Sequence, residues 1–336
     1  MNIGRYIIRR ILLGIVVLFG VVTLTFVVSR ILPVDPVYAW IGAYGKERPY
    51  FIELMMAKYH LREPLWIQYF YYLGDTLTGN FGVSPISGHE ISYDLSFRFP
   101  ATFELTMVSL LVTMIAGILL GVISAIRKDT VIDHVVRTLA LGVTAVPIFW
   151  FGIALQLIFS ANLGWFPLTN QSDVTWTRIT GFLFVDTLIT GNVNAFLDGL
   201  RHIVLPALTV SACSIGIVAR MTRASMLEVL NEDFVTMARS KGLPETAVVF
   251  RHVFRNAAIP PITVLGWTFA SLLQGAIITE TIFAWPGLGT YATSSIYQID
   301  FPAVMAVTIL AAINVVIVNL LTDLAALWAD PRTRGT

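Results

Sequence analysis

The side chains that could carry out chemistry are few and scattered in this sequence. Its five histidines stand at positions 60, 89, 134, 202 and 252, without the spacing of a metal site. None of the four lysines is followed by Ser or Thr, which excludes a nucleotide-binding loop of the Walker A type. Neither H-E-x-x-H nor G-x-S-x-G occurs. We therefore expect no catalytic centre, metal site or cofactor in this chain.

One stretch of the sequence concentrates basic residues. Residues 237–256, MARSKGLPETAVVFRHVFRN, carry three arginines, one lysine and one histidine between two long uncharged runs. Val249 with Val253 and Phe250 with Phe254 are four residues apart, which predicts an apolar stripe along a helix. The stretch is therefore typical of a short amphipathic helix outside the hydrophobic spans.

An anionic partner is expected for this helix. Arg251 and Arg255 also lie four residues apart, where like charges repel slightly unless lipid phosphate, loop acids or another protein neutralises them. Two interpretations follow from the residues alone. The helix lies on the lipid surface, or it docks into a groove of a cytoplasmic protein.

A turn is expected in front of this helix. We expect the helix of the preceding span to continue without a break to Gly242. Gly242 stands where a helix C′ residue would, with Arg239 and Lys241 in the last turn, where cations suit the helix dipole. Pro244 favours the first position of a new helix, which is expected over 244–256.

The bulk composition places the chain in a membrane. Of its 336 residues, 56% are hydrophobic and 13% charged, about half of the roughly 25% charged residues of a soluble domain, and the mean hydropathy is +0.75. A net charge of +1 gives no reason to expect a nucleic-acid partner. The single cysteine, Cys213, lies in an apolar run and is expected to be a small buried hydrophobe.

Six uncharged runs are long enough to cross a bilayer, for which about 20 apolar residues suffice. This predicts an all-α, polytopic protein of the cell membrane with about six transmembrane helices, in contact with lipid. An additional apolar segment, 179–197, holds Asp186 and is expected to form a surface helix. The six predicted spans are 11–29, 105–126, 138–160, 203–219, 256–279 and 301–322.

Four acidic residues border these runs: Glu104, Glu280, Asp300 and Asp323. None lies inside a run as drawn, so we expect them to anchor span ends in the polar interface rather than relay protons or bind ions. The aromatic residues that crowd 66–72 indicate either an interfacial belt or a surface for an external partner.

Basic residues set the orientation. They gather at the N-terminus, in 127–137, in 220–256 and near the C-terminus, which a six-span chain places on one side. The positive-inside rule makes that side, with both termini, cytoplasmic. The predicted organisation is an N-terminal transmembrane helix (1–32), an extracytoplasmic loop region (33–100) and a core domain (101–330) that contains the loop of 220–256.

Residues 233–266 resemble the EAA loop of ABC-importer membrane subunits, in the form found in the oligopeptide/dipeptide/nickel permease family. The family run Y-V-x-x-A-R-A-K-G, followed by R-H-x-x-R-N-x-x-x-P, is matched in order. Thr236-Met237-Ala238 stands in place of the Glu-Ala-Ala triplet, whereas Gly242 is kept. The matching residues are Phe234, Val235, Ala238, Arg239, Lys241, Gly242, Arg251, His252, Arg255, Asn256 and Pro260.

Further stretches agree with this family in the right order from end to end. RYIIRRILLGIVVLFG is similar to its first span, and PLWIQYFYYLGDTLTGNFGVS to its external segment. RHIVLPALTV is similar to the opening of its fourth span, ETIFAWPGLG to its fifth-span exit and ADPRTR to its C-terminal segment. The long loop after the first span is typical of the first of the two permeases.

The resemblance implies a type I ABC-importer permease fold and a role as one half of a pathway for peptides, with oligosaccharides or nickel as alternative substrates. It implies a second permease, two cytoplasmic ATPases that bind ATP and Mg²⁺, and an extracytoplasmic solute-binding protein as partners. A stand-alone channel or secondary carrier and a membrane-embedded enzyme are the other functional classes. The residues expected to couple the permease to an ATPase are Asp233, Ala238, Lys241, Gly242, Pro244, Val249, Phe250, Arg251, His252, Phe254, Arg255 and Asn256.

Overall fold

The computed structural model describes residues 3–31, 53, 56–57 and 60–329. Within these ranges the regular elements are helices, with one isolated β-type bridge, so the predicted all-α class is confirmed. The helices are α1 (Ile3–Ile31), α2 (Leu65–Leu77), α3 (Ile91–Ile126), α4 (Val131–Ala145), α5 (Ile148–Leu155), α6 (Leu183–Ile189), α7 (Val193–Leu230), α8 (Asp233–Ser240), α9 (Glu245–Ala257), α10 (Ile259–Ile282), α11 (Leu288–Tyr297) and α12 (Phe301–Ala329).

Four helices in the described part of the chain are long and apolar enough to cross a membrane: α1, α3, α7 and α12. Two bent pairs qualify together, α4 with α5 and α9 with α10, and counting each pair as one span gives six. Within the second pair, α10 alone has 24 residues, about 36 Å of helix against a hydrocarbon core of roughly 30 Å. The predicted six transmembrane helices are thus confirmed, and the chain is an integral membrane protein.

The third span is not the straight helix predicted over 138–160. α4 and α5 meet at an angle of 106°, with Val146 and Pro147 at the corner. Proline lacks an N–H and disfavours helical geometry in the residue before it, and Val146 is accordingly extended at ψ 131°. α5 then continues as a π-helical stretch, Gln156–Asn162.

The predicted surface helix over 179–197 is wrong in its extent. Leu183–Ile189 form a separate short helix, and the residues from Val193 onward already belong to α7. Asn192 caps α7 because its side chain accepts the N–H of Ala195 at 3.1 Å. With 38 residues, α7 is about 57 Å long, nearly twice the roughly 30 Å thickness of a hydrocarbon core.

α3 and α7 form the most extensive helix pair of the described chain. A Cβ on Gly117 would lie 2.8 Å from the side chain of Val218, and a Cβ on Gly121 would lie 2.5 Å from that of Thr222. The two helices therefore approach more closely than larger residues would allow, as small residues permit in membrane helix pairs.

Two of the expectations about burial are wrong. Glu104 lies inside α3, which begins at Ile91, and its carboxylate accepts the N–H of Phe184 and the side-chain amide of Gln171, each at 2.9 Å. The interpretation of Glu104 as an interfacial anchor is wrong, because its carboxylate is buried and accepts hydrogen bonds from distant segments of the chain. Cys213, expected to be buried, is exposed.

The last helix is held at both ends by acids. The buried Asp300 accepts the N–H of Ala303 at 3.2 Å and the hydroxyl of Ser84, and so caps α12 rather than anchoring it in the interface. Asp323 near the other end pairs with Arg10 of α1 at 3.0 Å. These contacts join α12 to α1 and to the segment before α3.

The predicted division of the chain stays a prediction. The boundary drawn at residue 100 falls inside α3. Residues 33–52 of the expected loop region, and the C-terminal residues beyond 329, lie outside the described residues. The described part of that region includes α2, which packs on α1 through a hydrogen bond of 2.8 Å between the hydroxyls of Thr23 and Tyr69.

Candidate functional site

The predicted coupling loop of 220–256 contains two helices with a turn between them. The prediction of one helix unbroken to Gly242 is wrong, because α7 ends at Leu230 and Asn231 and Glu232 interrupt it. Asparagine favours helix ends, since its side chain competes for backbone hydrogen bonds. Glu232 is extended at φ −75° and ψ 145°, so α8 leaves in a new direction.

Gly242 ends α8 in the manner predicted. The residue has φ +76°, in the left-handed region that glycine enters without steric penalty. The N–H of Lys241 donates to the carbonyl of Met237 at 3.1 Å, and that of Gly242 donates to Arg239 at 2.9 Å. Pro244 then caps α9 instead of occupying its first helical position, one residue from the prediction.

An ion pair bridges this turn. Arg239 donates to Glu245 through Nε at 3.2 Å and through Nη2 at 2.7 Å. Hydrogen bonding to Arg239 lowers the pKa of the Glu245 carboxyl, and the same contact raises the pKa of the guanidinium. The side chains are 45% and 58% exposed, so solvent screens their attraction, and the pair chiefly fixes the geometry of the turn.

α9 joins the turn to the fifth span. It covers Glu245–Ala257 and includes a π-helical stretch, Val248–Val253, of the rare kind that recurs at functional sites. The hydroxyl of Ser225 on α7 donates to the carbonyl of Ala257 at 2.9 Å and so holds the end of α9 against α7. α10 then departs at 54°, with Pro260 in its first turn.

The apolar stripe predicted on α9 divides between two environments. Val249 and Val253 are 3% and 0% exposed and lie in one cluster with Met226 of α7 and Val122 of α3. Phe250 is 59% exposed. The valines therefore pack α9 onto the spans, and Phe250 is left to meet another molecule.

α8 has the same two faces. Val235 and Ala238 belong to the buried cluster, whereas Phe234 and Met237 are exposed. The sequence interpretation left Phe234 and Met237 out of the site. Their spacing of three residues, offset by one from Val235 and Ala238, was the available signal for a second apolar face.

α8, the turn and α9 together form one unit, residues 233–257, here called the coupling unit. Its exposed face combines apolar residues with Arg251 and Arg255, which have no ion-pair partner within the described residues. Such a face suits a protein or lipid surface that carries acids. Of the predicted coupling residues, Asp233, Lys241, Gly242, Pro244, Phe250, Arg251, Arg255 and Asn256 are exposed, His252 and Phe254 are half-buried, and Ala238 and Val249 are buried.

A buried ion pair braces the spans next to the coupling unit. Arg223 of α7 donates to the two oxygens of Asp133 of α4, each at 2.8 Å, and Asp133 is fully buried. The hydroxyl of Ser124, near the end of α3, donates to the same carboxylate. Three helices thus converge on one side chain. This pair was not predicted, because the basic residues of this side were interpreted only as markers of orientation.

The stretch ETIFAWPGLG forms a second junction, at the other end of α10. The buried carboxylate of Glu280 accepts the N–H groups of Gly289 at 2.6 Å and Thr290 at 3.2 Å, and the hydroxyl of Thr102 at 2.7 Å. An acid at a helix N-terminus satisfies free N–H groups and suits the helix dipole. The interpretation of Glu280 as an interfacial anchor is therefore wrong. A Cβ on Gly287 would lie 2.4 Å from this carboxylate, which explains the glycine there.

The site offers an exposed surface and contacts that connect it to the spans. In the part of the chain that the structure describes, no group of three or more His, Cys, Asp or Glu side chains is placed to hold a metal ion. What the arrangement can do is bind a partner on the coupling unit and pass a displacement to α3, α7 and α10, on which the unit packs or into which it continues.

Comparison with known proteins agrees with this architecture. The family described as binding-protein-dependent transport system inner membrane component matches residues 117–335, and the N-terminal family of the same membrane components matches residues 3–106. The chain is 40% identical over 331 residues to the di/tripeptide transport system permease protein DppB of Pseudomonas aeruginosa, which covers 98% of both chains.

Two other relatives are similar over nearly their whole length. The probable D,D-dipeptide transport system permease protein DdpB of Escherichia coli is 39% identical over 95% of this chain and 94% of its own. The oligopeptide transport system permease protein AppB of Bacillus subtilis is 38% identical over 98% of this chain and 99% of its own. With two family matches that together cover most of its length, the chain belongs to the inner membrane components of binding-protein-dependent transport systems, and it is a permease of the ABC-importer type.

Proposed function

We propose that this chain is one of two permease subunits of an ATP-driven importer that carries peptides into the cell. The relatives are named for di/tripeptide, D,D-dipeptide and oligopeptide transport, which supports peptides over nickel or oligosaccharides. The partners under this proposal are a second permease, two cytoplasmic ATPases that bind ATP and Mg²⁺, and an external solute-binding protein that delivers the peptide.

The observation that carries the proposal is the two-faced coupling unit. Its inner valines pack against α3 and α7, while Phe250 is 59% and Met237 58% exposed beside Arg251 and Arg255. An exposed aromatic anchor flanked by cations is the composition of a protein-binding surface. An ATPase that binds this face is connected to the transmembrane helices, because the valines on the opposite face pack against them.

The coupling follows from differential affinity. An ATPase pair that closes on ATP binds best to the arrangement of permeases in which the two coupling units lie close together, and this preference shifts the permeases toward that arrangement. The continuation of α9 into α10 and the hydrogen bond from Ser225 to Ala257 carry the movement into the spans. The coupling unit and both termini are cytoplasmic in this proposal, as the basic residues favour.

Co-purification of the complex tests the docking surface. Phe250→Ala is expected to cost about 2 kcal/mol or more of binding to the ATPase, as truncation of an interface anchor does. Less ATPase should then be retained by an affinity-tagged permease. Phe149→Ala is the matched control, because Phe149 is 51% exposed but lies on α5, far from the coupling unit in the chain. Undiminished ATPase retention by Phe250→Ala would mean that α9 lies on lipid instead.

Uptake measurements test the class of function. The purified complex in liposomes, supplied with binding protein outside and ATP with Mg²⁺ inside, should accumulate labelled dipeptide and should not do so when ATP is omitted. A stand-alone channel or secondary carrier would move peptide through the permeases without the ATPases. Accumulation of nickel or an oligosaccharide in place of peptide would replace the substrate and keep the mechanism.

A further inference from the structure

A groove between α7 and α10 is lined by hydroxyl groups and an indole ring. It encloses about 340 Å³, and among the described residues no charged side chain lines it. The polar side chains come from both helices, and Ile217 of α7 contributes an apolar wall. Its residues include Ser214 and Ile217 of α7 and Thr263, Trp267, Thr268 and Ser271 of α10.

Two of these residues are largely buried, yet their hydroxyl oxygens have no hydrogen-bond partner in the described part of the chain and stay accessible from the groove. Ser214 and Thr268 are 9% and 6% exposed, and neither has a hydrogen-bond partner among the described residues. Thr263 and Ser271, by contrast, donate to carbonyls of their own helix at 3.1 and 3.2 Å. An unsatisfied hydroxyl is costly in hydrocarbon, so Ser214 and Thr268 point to a polar occupant of the groove.

Trp267 forms part of the groove wall and is 74% exposed. It lies eight residues after the start of α10 at Ile259, about 12 Å along the helix, and thus inside the span. Tryptophan in membrane proteins is enriched at the two interfaces, where its N–H meets water. A tryptophan open at this depth is explained if the groove itself holds water or a polar solute.

We propose that this groove lines the translocation pathway and contacts the main-chain amides of the transported peptide. Hydroxyl groups both donate and accept, so Ser214 and Thr268 can pair with the N–H or the C=O of any residue of the peptide. Trp267 offers an apolar ring to its side chains. Because the wall has no fixed charge, it suits acidic, basic and neutral peptides alike. This inference rests on the proposed function, whose substrate it describes in chemical terms.

The position of the groove connects it to the coupling unit. α7 ends just before α8, and α10 begins just after α9, so both walls of the groove are attached to the unit that the ATPase would move. A displacement of the coupling unit therefore changes the separation of the two walls. The covalent chain therefore links the groove that contacts the peptide to the coupling unit that the ATPase would move.

Cysteine accessibility tests the proposal in the assembled complex. The native thiol is Cys213, next to Ser214, so it is first replaced (Cys213→Ser). Single cysteines are then introduced as Ile217→Cys and Thr263→Cys in the groove, and as Leu119→Cys on an exposed apolar face of α3. A hydrophilic maleimide should label the groove positions about tenfold faster or more than Leu119→Cys, because a thiol ionises only where water reaches it.

Labelling could instead be as slow at both groove positions as at Leu119→Cys, in a complex that still imports peptide. That result would overturn the proposal and place lipid or a partner helix against this face. Slower labelling in the presence of dipeptide and binding protein would support the peptide as the occupant.

Substitutions of the wall give a second, independent readout. Trp267→Ala and Thr268→Val should each lower peptide uptake several-fold while the ATPase subunits stay bound. Trp150→Ala is the matched control, since Trp150 is 58% exposed on α5, outside the groove. If the unsubstituted complex shows no ATP-dependent peptide uptake, the proposed function fails. If it transports and the groove variants transport equally well, only the groove assignment fails.

Discussion

Arg223 of α7 holds Asp133 of α4 through two hydrogen bonds of 2.8 Å, and the carboxylate is fully buried. Buried pairs of this kind add little stability compared with an apolar substitute, but breaking one partner leaves an uncompensated charge. Because Ser124 of α3 donates to the same carboxylate, the pair fixes three helices beside the coupling unit.

Asp133→Asn is expected to destabilise the folded chain by about 3–5 kcal/mol, because Arg223, whose side chain is only 18% exposed, then loses its counter-charge. Thermal unfolding in detergent measures the loss. Glu228→Gln, an exposed carboxylate of the same helix as Arg223, is the control and should leave the unfolding temperature unchanged. A double variant, Asp133→Leu with Arg223→Met, should recover most of the loss, and equal instability of single and double variants would contradict the account.

Gly242→Val is expected to disturb the turn of the coupling unit. A β-branched residue at φ +76° costs about 1–2 kcal/mol, so the chain would leave this conformation and change the direction of α9. Membrane insertion should be normal, while ATPase retention and peptide uptake fall. Gly242→Asn is the matched control, because asparagine tolerates the left-handed region. Normal transport by Gly242→Val would show that the turn does not set the docking angle.

Gly289→Ala is expected to destabilise the junction between α10 and α11. The added Cβ would lie 2.4 Å from Cα of Ile277, a backbone atom that cannot move aside cheaply, at a cost of about 1–3 kcal/mol. The unfolding temperature in detergent reports this cost. Gly142→Ala on α4 has no atom within 4 Å of the new Cβ and should be neutral or slightly stabilising. Equal behaviour of the two variants would contradict the packing seen around Glu280.

Asp186 is expected to make stability depend on pH. Burial by itself raises the pKa of Asp186, but hydrogen bonds from Thr180, Ile179 and Gly181 outweigh burial and hold it below its usual value. A depressed folded-state pKa means that the stabilisation is complete above the unfolded-state value of about 4 and is lost as the pH falls below it.

The measurement for Asp186 is the unfolding temperature in detergent between neutral pH and about pH 3, well below the usual carboxyl pKa. Asp186→Asn should unfold at a lower temperature than the unsubstituted chain at neutral pH, and the difference should shrink in acid. Asp75→Asn, at an exposed carboxylate, should show no comparable gap. A gap for Asp186→Asn that stays constant across this range would exclude the charged carboxylate as its cause.

The sequence by itself determined the class, the number of spans and the place of the coupling unit. Long uncharged runs admit few alternatives, because the bilayer demands about 20 apolar residues in a helix for each crossing. The left-handed turn was equally readable, since Gly242 between basic residues and Pro244 is a local signal that needs no distant partner.

The tertiary structure decided which side of each helix in the coupling unit is buried and which is exposed. From spacing alone, Val249 and Phe250 were both predicted to belong to one apolar stripe. Only the packing against α3 and α7 shows that the valine is buried and the phenylalanine exposed. The roles of Glu104, Glu280 and Asp133 were also out of reach. Each depends on donors far away in the chain, and periodicity along one helix carries no information about which neighbour will supply a hydrogen bond.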